Sequence, residues 1–74
     1  MIDEWLPDIQ KIEADGGVFI IKFDGERDSR LKTVIVSKPG TEFFFRKDAD
    51  DLESLLMEAV DSFRKAFPAK HAGF

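Results

Sequence analysis

Between Leu52 and Phe67 the apolar residues fall at steps of three and four: Leu52, Leu55, Leu56, Ala59, Phe63, Ala66 and Phe67. That spacing lines one face of an amphipathic α-helix. Asp48-Ala49-Asp50-Asp51 leads into it, with Asp48 suited to the N-cap and the acids at 50 and 51 to the positive end of the helix dipole. Arg64 and Lys65 fall in the last turns, and Pro68 cannot continue the helix. The pattern predicts a helix over about 49–67. An apolar stripe of this kind must be buried against a second layer. One helix can cover only one face of whatever sheet it meets, and this limit governs the rest of the reading.

The middle of the chain supplies the sheet. Val18-Phe19-Ile20-Ile21-Lys22-Phe23 is β-branched and aromatic and ends at Asp24-Gly25; Leu31 to Ser37 is a second such run, and Glu42 to Arg46 a third. Lys38-Pro39-Gly40-Thr41 has a type II turn signature, with Pro at the second position and Gly at the third. With Pro39 and Gly40 as the loop, the expected pairs are Val36–Phe43, Ile35–Phe44 and Val34–Phe45. Side chains alternate along a strand, so in Phe43-Phe44-Phe45 the middle ring must leave the face that the other two share. Phe19, Ile21, Phe23, Val34, Val36, Phe43 and Phe45 are then expected to meet Leu52, Leu55, Leu56, Ala59 and Phe63 in the core. Phe44 is expected on the opposite face with Ile20, Ile35 and Val18, beside Lys22 and Arg46.

Residues 3–17 fit two patterns. Trp5, Leu6, Ile9 and Ile12 make a helical stripe that Asp15-Gly16 could stop, with Pro7 tolerated only at its very start. Asp15-Gly16 is also a hairpin turn signal that would pair a strand near 9–14 with the next one. The strand is preferred. The expected fold class is α+β: an antiparallel three- or four-stranded β-meander with one C-terminal α-helix packed on one face (ββββα; alternative αβββα). Residues 1–74 form one small domain in this reading, and the tail from Pro68 to Phe74 is expected to fray.

Composition narrows the function classes. The chain has no cysteine, which removes disulfides and thiolate chemistry. The acidic start Met1-Ile2-Asp3-Glu4-Trp5 does not read as a secretory signal, and the run Val18 to Ile21 is too short to span a bilayer, so a cytoplasmic protein without membrane partners is expected. Net charge is −4, but its distribution is uneven: residues 1–26 carry seven acids and two bases, 27–47 six bases and two acids, and 48–66 six acids and two bases. Nucleophilic catalysis needs a nucleophile beside a base. The one histidine, His71, lies in the tail, and Ser29, Ser37, Ser54 and Ser62 have no suitable sequence neighbour. Asp48, Asp50 and Asp51 read as helix-start residues rather than acid–base catalysts. Asp24-Gly25-Glu26-Arg27-Asp28 lacks the ligand series of a calcium loop, and no glycine-rich phosphate loop is present. No catalytic residue, cofactor or metal site is therefore expected.

Two surfaces remain as candidates. The first is the sheet face around Phe44, with Ile20, Ile35, Lys22 and Arg46. The second is the acidic side of the last helix, with Asp50, Glu53, Met57, Val60 and Asp61. Both suit a small non-catalytic protein-interaction module of accessory, inhibitor or adaptor type, through a protein partner or self-association. Two alternatives stand beside it. Phe43, Phe44 and Phe45 next to Arg46-Lys47, with Lys22, Arg30 and Lys32 in reach, have the composition of a single-stranded nucleic-acid binder. A homodimeric structural domain is the other, since small domains often complete their cores by oligomerising.

Overall fold

The structure, a computed structural model, describes residues 2–26 and 28–68. It is α+β: three antiparallel strands in an open sheet, with two helices. A short 3₁₀ turn, Ile2–Glu4, leads into helix α1, Leu6–Ala14. Strands β1 (Val18–Phe23), β2 (Lys32–Ser37) and β3 (Phe44–Ala49) follow, and helix α2, Leu52–Ala66, closes the described fold. The sheet order is β1-β2-β3.

The preferred strand near 9–14 is thus a helix, and the αβββα order holds. Pro7 lies in the first turn of α1, where its missing amide hydrogen costs nothing. Asp15-Gly16 is the helix stop, not a hairpin turn. Gly16 has φ +89, its amide donates to the Glu13 carbonyl (3.0 Å), and the Gly17 amide donates to the Ile12 carbonyl (2.8 Å). These two bonds make a Schellman motif, which satisfies carbonyls that the end of α1 would otherwise leave open. The turn also delivers Ile12 to the core, where it is fully buried.

The predicted type II turn is present. The Thr41 amide donates to the Lys38 carbonyl (3.1 Å), and Gly40 has φ +88. The strands do not pair directly after it. Thr41 Oγ1 donates to the Lys38 carbonyl and accepts from the Phe43 amide, so the chain stays in a loop until Phe44. The pairs are Val36 with Phe45, Ile35 with Arg46 and Val34 with Lys47, two residues on from the expected register. A type II turn does not follow the twist of paired strands, and this accounts for the longer loop. A slip of two preserves the faces, whereas a slip of one would invert them.

α2 lies over β2 and β3, and α1 lies over β1 beside α2, so both helices occupy the same side of the sheet. The Arg64 guanidinium and the Asp8 carboxylate (2.7 Å) join the two helices, as does the bond from Trp5 Nε1 to Glu53 (3.0 Å). Ile12, Val34, Val36, Leu55, Leu56, Ala59, Val60 and Phe63 form the buried core, flanked by Phe19, Ile21, Phe43, Phe45, Ala49 and Leu52. Phe43 reaches it from the loop before β3: its ring meets Phe63 edge-on at 5.6 Å and Phe67 at 5.5 Å. Phe23 was expected in this core. It sits at the end of β1 beyond the reach of the helices, 63% exposed, with Lys32 Nζ 5.7 Å from its ring.

Candidate interaction surface on the open sheet face

The register arranges the side of the sheet away from the helices in three rows. Val18, Ser37 and Phe44 form the first, Ile20, Ile35 and Arg46 the second, and Lys22, Thr33 and Asp48 the third. Four of these nine side chains are large and apolar, and they share one end of the face. Ile35, on the central strand, is half-buried by its neighbours, while Val18, Ile20 and Phe44 are exposed, Phe44 by 64%. The segment carrying Trp5 and Leu6 does not cover them. Trp5 and Ile9 pack against the core on the helix side. Every residue expected on this face from strand alternation, Ile20, Ile35, Phe44, Lys22 and Arg46, is on it.

The polar end of the face is internally neutralised. Lys22 Nζ lies 3.7 Å from the Asp24 carboxylate, and Arg46 lies 3.6 Å from that of Asp48. Asp48 also accepts from the hydroxyl of Thr33, which is 1% exposed on the central strand. Asp48 was expected to cap α2; it is a strand residue instead, and Asp51 takes the N-cap position. The other acids at this junction are likewise engaged: Asp50 accepts from the Leu31 amide (3.0 Å), and Asp51 from Ser54 Oγ (2.5 Å). Asp24 accepts the Glu26 amide at 3.0 Å, an Asx turn that gives the Asp24-Gly25-Glu26 segment a structural role. Among the described residues no group of three or more His, Asp and Glu side chains is placed to hold a metal. His71 lies outside the described residues.

The acidic side of α2 is less available than its sequence suggests. Val60, expected with Met57 on this acidic side, is only 1% exposed. The presence of α1 beside α2 widens the arc of α2 that is covered. Met57 does face solvent, at the rim of a shallow depression shared with Trp5, Glu58, Val60, Asp61 and Arg64. Glu53 accepts from Trp5, Asp61 pairs with Lys65 (3.0 Å), and Asp50 belongs to the connection before the helix. The candidate residues of this second surface are therefore divided between core, junction and solvent. No helix among the described residues is long and apolar enough to cross a membrane.

Fold and face together define a two-layer α+β protein with both helices on one side of a three-stranded sheet. No protein-family model, curated protein or solved structure matches the chain.

Proposed function

We propose that this chain is a small non-catalytic protein-interaction module, of accessory, inhibitor or adaptor type, that docks a protein partner on the open sheet face. The observation that carries this reading is the cluster of Val18, Ile20, Ile35 and Phe44 on a face that neither helix covers. Exposed apolar clusters rimmed by polar groups are characteristic of interaction sites. Phe44, the most exposed large apolar residue here, is of the aromatic type that anchors such contacts. The acid–base pairs at the polar end give the rim little net charge, so the partner is expected to present an apolar surface of its own.

Phe44→Asp tests this directly. The ring makes few contacts within the fold, so stability should change by no more than about 0.5 kcal/mol. Capture of protein partners should be lost, and Ile35→Asp should lose it as well. Unchanged capture by both variants would overturn the assignment of the site. So would loss of folding in Phe44→Asp, because it would place the ring in the core.

A nucleic-acid surface is the second reading, and the observation that favours it is Phe44 beside Arg46 and Lys22 on one face. Only one aromatic ring is offered there, and both cations lie close to carboxylates. A single-stranded oligonucleotide that shows no anisotropy change at low salt would remove this reading.

A further inference from the structure

The two free edges of the sheet differ in composition. β3, at one edge, reads Phe-Phe-Arg-Lys-Asp-Ala, with three consecutive charges. Charged edge strands resist pairing with other chains. β1, at the other edge, reads Val-Phe-Ile-Ile-Lys-Phe, with Lys22 its only charge. Near-continuous apolar runs of this kind belong to strands covered on both faces. Yet three of the six exposed large apolar residues of the described fold, Val18, Ile20 and Phe23, are on this one strand.

The ladder fixes which backbone groups of β1 face outward. The Asp24 amide donates to the Leu31 carbonyl (2.7 Å), which continues the β1–β2 register by one pair. Hydrogen-bonded and non-hydrogen-bonded pairs alternate in an antiparallel ladder. Lys22, Ile20 and Val18 therefore bond to β2, and the amides and carbonyls of Phe19, Ile21 and Phe23 point to the open edge. Among the described residues no other element bonds to them.

We infer that β1 is a self-pairing edge: two copies of this chain join antiparallel through β1, centred on Ile21, into a six-stranded sheet. In this register Ile21 faces the Ile21 of the second copy, and Phe19 faces its Phe23. All three outward residues of each copy then bond across the junction. Antiparallel partners directly opposite share a face, so each exposed Phe23 ring gains a Phe19 ring beside it on the helix side. Lys22 falls opposite Ile20 of the second copy rather than opposite the other Lys22. The junction is made by the edge backbone and, on the helix side, the odd-numbered side chains, whereas the docking face proposed above is centred on Phe44 and Ile35, which lie outside this strand.

The test is made on the full chain. Light scattering should give a molar mass that rises towards twice the monomer as concentration increases. Amide exchange should show protection of Phe19, Ile21 and Phe23 that grows with concentration. Because the chain has no cysteine, Ile21→Cys is a clean reporter. Opposed residues in a hydrogen-bonded pair have Cα atoms about 5.5 Å apart, within disulfide range, so mild oxidation should link two copies. Phe23→Glu, which leaves Phe23's cross-strand neighbour Lys32 with an opposite charge, should keep the fold while weakening association by roughly tenfold or more. A constant monomer mass up to millimolar concentration, with fast exchange at the three amides, overturns the inference. So does a dimer that crosslinks through Phe44→Cys while those amides stay unprotected, since that dimer pairs through the face. Phe44→Asp leaves the edge unchanged, so the two proposals fail separately.

Discussion

Phe63→Ala is expected to take away most of the stability of this protein. Phe63 is 0% exposed and meets Phe43 at 5.6 Å and Phe67 at 4.9 Å between ring centres. It also lies against Gly17, so it joins α2, the approach to β3 and the end of α1 at one point. Truncating a buried Phe to Ala costs about 3–5 kcal/mol, and the ring contacts, edge-on with Phe43 and tilted with Phe67, add to the area term. A core of this size rarely provides more than about 3–5 kcal/mol in total. Urea denaturation followed by circular dichroism should place the variant near or past its midpoint without denaturant. Phe44→Ala is the control, and should shift stability by no more than about 0.5 kcal/mol. A Phe63→Ala loss as small as that of the control would mean that the three rings do not form a packed cluster.

The contrast between adjacent phenylalanines is legible in the sequence. Alternation along a strand depends only on backbone geometry, so the opposed faces of Phe44 and Phe45 survived a register slip of two, while Phe43 reaches the helix side from the loop before the strand. The stripe of α2 was legible for a similar reason, since helical spacing is local. What could not be read was set by contacts distant in sequence. Asp15-Gly16 is chemically suited to a hairpin turn and to a helix end, and the helix end is the choice that buries Ile12 in the core. Val60 looked exposed because the stripe was matched to a sheet alone; α1, placed beside α2, extends the buried arc. Phe23 looked buried because alternation says which face a side chain takes, not whether a helix reaches that far. The open face was read correctly in its members. Its lack of cover followed only from the position of α1, which occupies the same side as α2 rather than the side of Phe44.

That position depends on Gly17, and Gly17→Ala is the second substitution with a large expected effect. A Cβ built on Gly17 would lie 2.6 Å from Ile12 Cγ2, 3.0 Å from the Ile12 carbonyl oxygen and 3.2 Å from Phe63. The first contact is far inside van der Waals range, and both residues it would displace are fully buried. Overpacking of this kind costs about 1–3 kcal/mol. The neighbouring glycines separate this cause from backbone effects. Gly16 has open space around its Cα but φ +89, so Gly16→Ala should cost about 1–2 kcal/mol through left-handed strain alone. Gly25 has open space and no positive φ, so Gly25→Ala should be neutral or stabilising by up to about 1 kcal/mol, by restricting the unfolded chain. Denaturation midpoints for the three variants, measured side by side, check the order. The decisive comparison is the double variant Gly17→Ala with Ile12→Leu. Leucine lacks the Cγ2 methyl that the new Cβ would strike, so it should recover part of the Gly17→Ala loss, although a volume-conserving swap of this kind costs up to about 1.5 kcal/mol by itself. Simple additivity of the two losses would mean that α1 is not held against the core through this contact, and that the open face of the sheet owes its exposure to something other than the turn at Gly16 and Gly17.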